Sequence, residues 1–397
     1  MVQTEKGQKS GQLGLIIGII LIAFNLRPAI TSVGPLVTTI QDRLGINNLE
    51  AGFLTTIPLM AFALFSPFVA LAGRRWGNER TLLVALVILS AGVFIRYTEN
   101  ISILYLGTLV IGSGIAIINV LLPSVVKSDF PTKIGLMTSL YTTAMCGMAG
   151  LASGVSIPLT ENAGLGWKNT LLVWGLLAVA GVLVWLPQVR VKHRTEANRK
   201  KPHPGQSVWK SDTAWFVSAF MGLQSFVFYC LIAWLPAILH SKGMNNQTAG
   251  WMLLFVQFIG LPATFFSPII ALKMKKMWHS IAVIVSLNLA GFSGLMFFNS
   301  DTWLILSITV VGLSTGGSIS IAYMIISTKA RDSFHAAELS GMVQSVGYLL
   351  AAFGPVLLGF FFDKTGSWLV PVLIIQLANV LMLYSGVRSV NPRAVIR

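Results

Sequence analysis

The sequence predicts an all-α membrane protein whose twelve transmembrane helices form two six-helix halves. Three observations lead there: charged residues are scarce, apolar runs of spanning length follow one another closely, and motifs of the first half recur in the second. Charged residues make up 10% of the 397-residue chain and hydrophobic ones 54%, against about 25% charged in a typical soluble domain. The main solvent is therefore lipid, and no segment is left over for a sizeable soluble domain.

The first run, 13–37, follows Lys6 and Lys9 and so resembles a secretory signal. It continues past Arg27 without a small-residue cleavage site, and reads as an uncleaved first helix. Further runs at 50–72, 80–97, 102–125, 134–158 and 168–188 complete the first half. Runs at 213–238, 248–272, 278–298, 302–327, 336–361 and 367–387 form the second. Each is close to the ~20 apolar residues a helix needs to cross a bilayer. They lack sustained two-residue alternation and exceed the ~9–11 residues of a barrel strand. The hydrophilic stretch Arg190–Lys210, rich in Lys, Arg, His and Pro, divides the chain into a bundle at 1–188, a basic linker at 189–212 and a bundle at 213–397.

Charge sets the expected orientation. One set of alternate loops holds Lys6, Lys9, Arg74, Arg75, Arg80, Lys127, Lys133, the linker cations, Lys273, Lys275, Lys276, Lys329, Arg331, Arg388, Arg393 and Arg397; the other holds only Arg43, Arg96, Lys168, Lys242 and Lys364. Basic loops stay cytoplasmic, so both termini are expected there. The +15 net charge is thus topological, and no nucleic-acid partner is expected.

The halves repeat each other. Gly45-Ile46-Asn47-Asn48 with Ala51-Gly52 returns as Gly243-Met244-Asn245-Asn246 with Ala249-Gly250. Ser66-Pro67 through Arg74-Arg75-Trp76 returns as Ser267-Pro268 through Lys275-Lys276-Met277-Trp278, and Gly166-Trp167 more weakly as Gly366-Ser367-Trp368. Parallel repeats place a solute site near the midplane, between the halves.

Three further motifs are more specific: Asn25-Leu26-Arg27-Pro28-Ala29 in the first span, Gly222-Leu223-Gln224-Ser225 with Tyr229 and Trp234-Leu235-Pro236 in the seventh, and Gly359 with Asp363-Lys364-Thr365-Gly366-Ser367-Trp368 closing the eleventh. With these the chain resembles, over essentially its whole length, the cyanate and nitroimidazole transporter family of the major facilitator superfamily. The resemblance implies the major facilitator fold and a bacterial inner-membrane carrier for a small anionic or nitro-bearing solute. It departs from the superfamily in the loop after the second span, where Arg74 stands in place of the usual Asp. Glu79 and Asp332 are alternative acids for pairing on that side.

Arg27 is the one clearly intramembrane charge. Arg at a helix centre costs about 2.5–3.5 kcal/mol on insertion scales, so it normally faces a cavity or a partner. Its distance from the span's end excludes snorkelling. A fixed guanidinium cannot release its proton, so Arg27 reads as a solute-anion contact, the alternative being a structural tie to backbone carbonyls or to Asn25. Midspan Asp and Glu are absent, which disfavours cation efflux and proton coupling through a membrane carboxylate. Uniport, anion exchange and a proton carried with the solute stay open, as does efflux of neutral or drug-like compounds with Arg27 structural.

On the helices that the resemblance implies line the cavity, the polar candidates for solute contact are Asn25, Asn119, Tyr141, Gln224, Tyr229, Gln257, Tyr323, Gln344 and Tyr348. Hydrogen bonds between helices are the alternative for each. Arg74, Arg75, Lys275 and Lys276 are candidates for a cytoplasmic gate, meeting acids or helix C-termini. Gly112, Gly114, Gly312, Gly316 and Gly317 read as helix-packing positions. Pro28, Pro58, Pro123, Pro236 and Pro262 mark where spans can bend.

Enzyme signatures do not hold up. Asp363-Lys364-Thr365-Gly366 matches the phosphorylated tetrapeptide of ion pumps, but no Gly-x-x-x-x-Gly-Lys-Ser/Thr loop or nucleotide-binding domain accompanies it. His193, His203, His240, His279 and His335 lack ligand spacing, and Cys146 and Cys230 sit singly in apolar runs. No cofactor or metal is expected. The expected partners are a small solute and the lipid bilayer, and the expected state is a monomer. A channel or sensor would share the fold, but the two-half repeat favours a carrier.

Overall fold

The computed structural model describes residues 2–189 and 207–390, apart from the side chains of 2–12, 48, 49, 246 and 247. The linker expected at 189–212 lies largely outside them. Twelve helices long and apolar enough to cross a membrane are present: Leu13–Leu44, Glu50–Trp76, Asn78–Ile95, Ile101–Asp129, Ile134–Asn162, Gly166–Val189, Asp212–Ser241, Thr248–Lys273, Trp278–Phe297, Asp301–Lys329, Ser333–Thr365 and Leu369–Ser389. They are spans 1 to 12 below. The face where spans 2, 4, 8 and 10 end carries Arg74, Arg75, Lys273, Lys275, Lys276 and Lys329, and is called the basic face.

Two spans expected to be continuous are broken. Span 1 leaves helical geometry after Phe24 and resumes at Pro28. Proline has no N–H to donate, and its ring disfavours helix at the preceding residue, here Arg27, whose ψ is −38° at a φ of −124°. Span 8 breaks at Gly260, with Pro262 in the first turn of the piece that follows.

The sequence repeat has a local physical content. Gly45 and Gly243 have φ of 64° and 94°, a left-handed conformation that glycine takes at little cost. Each is followed by an N-cap: Asn47 accepts from Glu50 N and Asn245 from Thr248 N. Both copies are therefore the same device, a helix stop followed by a capped start.

Helix crossings repeat as well. A Cβ on Gly92 would lie 2.7 Å from Ile111 N and 3.0 Å from Gly107 O; on Gly291 it would lie 3.0 Å from both Val311 N and Ser307 O. The third and fourth spans of each half thus cross backbone to backbone, as small residues allow in lipid. Gly112, Gly114, Gly312, Gly316 and Gly317 all pack within 3.0 Å of a neighbour by the same measure. That is the packing role the sequence assigns them. The Asp363–Gly366 tetrapeptide closes span 11, where Gly366 at φ 62° ends the helix and Asp363 is exposed.

The halves are joined toward the basic face. Ser124 Oγ donates to Ser333 O at 2.5 Å and accepts from Asn78 Nδ2 at 3.1 Å. Thr142 and Ser320 hydroxyls are 2.8 Å apart, Ser345 donates to Ala63 O at 2.6 Å, and Ser327 reaches Pro123 O at 3.3 Å. Gly135 lies against Pro268 and Gly341 against Ser66.

Candidate functional site

The break in span 1 positions the central charge. Arg27 occupies the non-helical step before Pro28, only 6% exposed. Its Nη1 donates to Tyr229 Oη of span 7 at 3.1 Å, and its guanidinium carbon lies 5.7 Å from the centre of the Phe228 ring. Both partners belong to the opposite half. A cavity between the halves is lined by Arg27, Cys146, Gln257, Thr264 and Thr315 together with Phe228 and aliphatic side chains. Among the described residues no carboxylate lines it. A buried guanidinium without a counter-ion is costly, and an anionic group arriving beside it would offset that cost.

Toward the basic face from Arg27 lies an aromatic cluster. Tyr229 meets Tyr348 at 6.4 Å between ring centres, and Tyr348 meets Phe62 at 4.7 Å. Tyr323 donates to Asn119 Oδ1 at 3.3 Å, and Tyr141 packs edge-on against it at 5.8 Å. Gln344 lies against Tyr323. The Gln344 amide and the Tyr348 hydroxyl are buried beside the Tyr323 hydroxyl, and the Tyr141 hydroxyl beside Thr138. Of the ten residues expected at the site, Arg27 and Gln257 line the cavity and Tyr229 is bonded to Arg27; Asn119, Tyr141, Tyr323, Gln344 and Tyr348 are buried toward the basic face, outside its lining.

The other two expected residues bond within their own halves. The Asn25 amide donates to Leu21 O at 2.8 Å and lies against Gly181 of span 6. The backbone leaves helical geometry between Phe24 and Pro28, and there Asn25 faces its own bundle while Arg27 faces the other half. Gln224 donates to Ser225 Oγ at 2.7 Å and to Met221 Sδ at 3.3 Å within its own span, and does not line the cavity.

The expected gate residues lie on the basic face. Among the described residues, none of Arg74, Arg75, Lys275 and Lys276 forms an ion pair; Arg74 lies 5.6 Å from the centre of the Phe334 ring and near Glu338, and the other three are exposed. The Asn78–Ser124–Ser333 hydrogen bonds also join the halves at this face. On the opposite face Lys168 donates to Glu99 at 2.6 Å, which holds the Glu99 carboxyl below the usual carboxylate range.

Sequence reasoning missed Arg96. Read as a loop charge, it is 3% exposed and donates from Nη1 to Ala29 O at 2.7 Å. Its place at the end of span 3, where an apolar run meets the loop, carried no signal. Cys146 beside Arg27 was legible only as a small buried hydrophobe.

Comparison with known proteins bears on what this architecture is. The family model described as Major Facilitator Superfamily matches residues 15–355. The chain belongs to the major facilitator superfamily. An uncharacterized transporter of Bacillus subtilis, YycB, is 48% identical over 94% of this chain and 92% of its own length. The 2-nitroimidazole transporter of Escherichia coli is 38% identical over 94% of each, and the cyanate transport protein CynX of the same species is 26% identical over 89% and 91%. The chain is thus a member of the cyanate and nitroimidazole group within the superfamily, as the Asn-Leu-Arg-Pro motif implied. The solved proton:xylose symporter XylE shares the fold, with a TM-score of 0.73 at 15% identity over 94% of both chains. This major facilitator protein is a multi-pass membrane transporter.

Proposed function

We propose that the protein carries a small anionic or nitro- or carboxylate-bearing solute across the bacterial cytoplasmic membrane by alternating access. The observation that supports this best is Arg27: a buried cation, paired with no acid among the described residues, whose partners are a tyrosine hydroxyl and a phenyl ring of the other half. An anion seated there would bridge the two halves and bind each differently as they rock. The loops rich in Lys and Arg orient the basic face and both termini to the cytoplasm, and the working unit is a monomer. Relatives named for nitroimidazole and cyanate transport support a compact solute.

The test is thermal stabilisation of the detergent-purified protein by cyanate, nitrate, nitroimidazoles, carboxylates and neutral analogues, repeated with Arg27→Gln. Stabilisation by one anionic class that disappears in the variant is expected. Stabilisation by neutral or drug-like compounds alone, unchanged in Arg27→Gln, would make Arg27 a structural residue and the protein a carrier of neutral compounds.

A further inference from the structure

The break in span 1 leaves its carbonyls to find partners elsewhere. Ile30 N and Thr31 N donate to Arg27 O, Ser32 N to Pro28 O and Val33 N to Ile30 O. The carbonyl of Ala29 is passed over in that series, and it accepts from Arg96 Nη1 at 2.7 Å. A second tether holds the same short segment: Thr31 Oγ1 lies 3.1 Å from Ala149 O of span 5 and 3.2 Å from Arg27 O.

Arg96 is itself held in place from behind. Its backbone N closes the last turn of span 3 on Gly92 O at 3.0 Å. Gly107 of span 4 packs so closely that a Cβ there would lie 2.7 Å from Arg96 N. Burying a second guanidinium at 3% exposure, with Nε and Nη2 unpartnered, costs stability. One hydrogen bond to a carbonyl does not offset that cost, so the residue is better explained by what the contact holds in place.

We propose that Arg96 is a positioning residue: with Thr31, it pins the segment after the break and thereby aims the Arg27 guanidinium across the cavity at Tyr229. Without the pin, the short helix at 28–31 is free to reorient about the break before Pro28. That would turn Arg27 away from the opposite half.

The inference rests on Arg27 facing the cavity, and its test needs no knowledge of the solute. Cys146 lines the same cavity as Arg27, whereas Cys230 is fully buried. In a Cys230→Ala background, the labelling rate of Cys146 by an anionic methanethiosulfonate, divided by that of a neutral one, reports the field of Arg27 at the thiol. Arg27→Gln should lower that ratio by about tenfold, as for the loss of one charge a few ångström away in a partly solvated cavity.

Arg96→Gln should lower it by a similar factor, Arg96→Lys should restore most of it, and the Arg27→Gln/Arg96→Gln double variant should fall no further than Arg27→Gln alone. An unchanged ratio in monodisperse Arg96→Gln protein would overturn the proposal. So would losses that multiply in the double variant, since Arg96 would then act through its own charge. Should Arg96→Gln not fold, Thr31→Val is measured in the same way, and a wild-type ratio there overturns the pinning of Arg27. A failed anion panel with a ratio that responds as expected would sink the solute reading and leave the positioning role intact.

Discussion

Replacing Arg27 with Gln should move two quantities in opposite directions. Arg27 Nη1 is committed to Tyr229 at 3.1 Å, and the guanidinium otherwise borders the cavity, where its remaining donors can meet an anion two at a time. Hydrogen bonds to charged groups contribute about 1.5–3 kcal/mol each. Loss of two therefore weakens anion binding by at least ~3 kcal/mol, roughly a hundredfold. The empty protein behaves otherwise. Its buried cation has no acid to pair with, and Gln keeps a donor for the Tyr229 hydroxyl while removing the charge, so the unliganded Tm should rise. Isothermal titration with the stabilising anion, beside a thermal melt without it, measures both. An affinity within threefold of wild type would refute the assignment of Arg27 to the solute. A fall in the unliganded Tm would show that Arg27 is instead part of the scaffold.

Three further outcomes follow from the same geometry. Ser124→Ala removes the hydroxyl that accepts from Asn78 and donates to Ser333 O, leaving two buried groups unpaired at about 1–3 kcal/mol each; amide exchange over residues 327–341 should rise, and unchanged protection would deny that these bonds hold the basic face shut. Asn25→Ala should lower Tm through the lost packing on Gly181 yet leave solute affinity unchanged, and a raised Kd would return Asn25 to the site. Gly316→Val would drive a side chain into Gly260 O, at the break in span 8; misfolded or absent protein is expected, and normal expression would show that spans 8 and 10 separate readily.

Much of this was legible in the sequence because lipid simplifies the code. A backbone in hydrocarbon must satisfy its own hydrogen bonds, so runs of the right length identify the spans, and a midspan Arg identifies a cavity. What was not legible is rotation about each helix axis. Asn25 and Arg27 share a motif and a depth but not a direction, while Gln224 sits at the right depth and turns to its own helix neighbours. Helix-end charges were ambiguous for a related reason: Arg43 and Arg96 both follow apolar runs, yet only the glycine at 107 lets Arg96 lie flat against span 4 and reach Ala29. Motif comparison draws attention to charges at this face. The contacts that close the basic face come from serine, threonine and asparagine, residues with no sequence signal in an apolar chain.

The duplicated architecture also explains why the site is asymmetric. Parallel halves set spans 1 and 7 opposite each other about the axis between them, so counterparts in the repeat are brought face to face. The repeat offset, 198 between the Gly-x-Asn-Asn motifs and 201 between the Ser-Pro motifs, places the counterpart of Arg27 at 225–228 in span 7, where Arg27 lies over the Phe228 ring. A cation in both copies would set two buried guanidinium groups against each other with no carboxylate between them, a repulsion that grows as the dielectric falls. A carboxylate in the second copy would neutralise the first and exclude an anion. A ring and a hydroxyl avoid both outcomes. Phe228 contributes a cation–π attraction of about 0.5–2 kcal/mol, Tyr229 takes one donor, and the remaining guanidinium field is left facing the cavity. An anionic solute and not a protein side chain then completes the bridge between the halves, which links closure of the carrier to its being loaded.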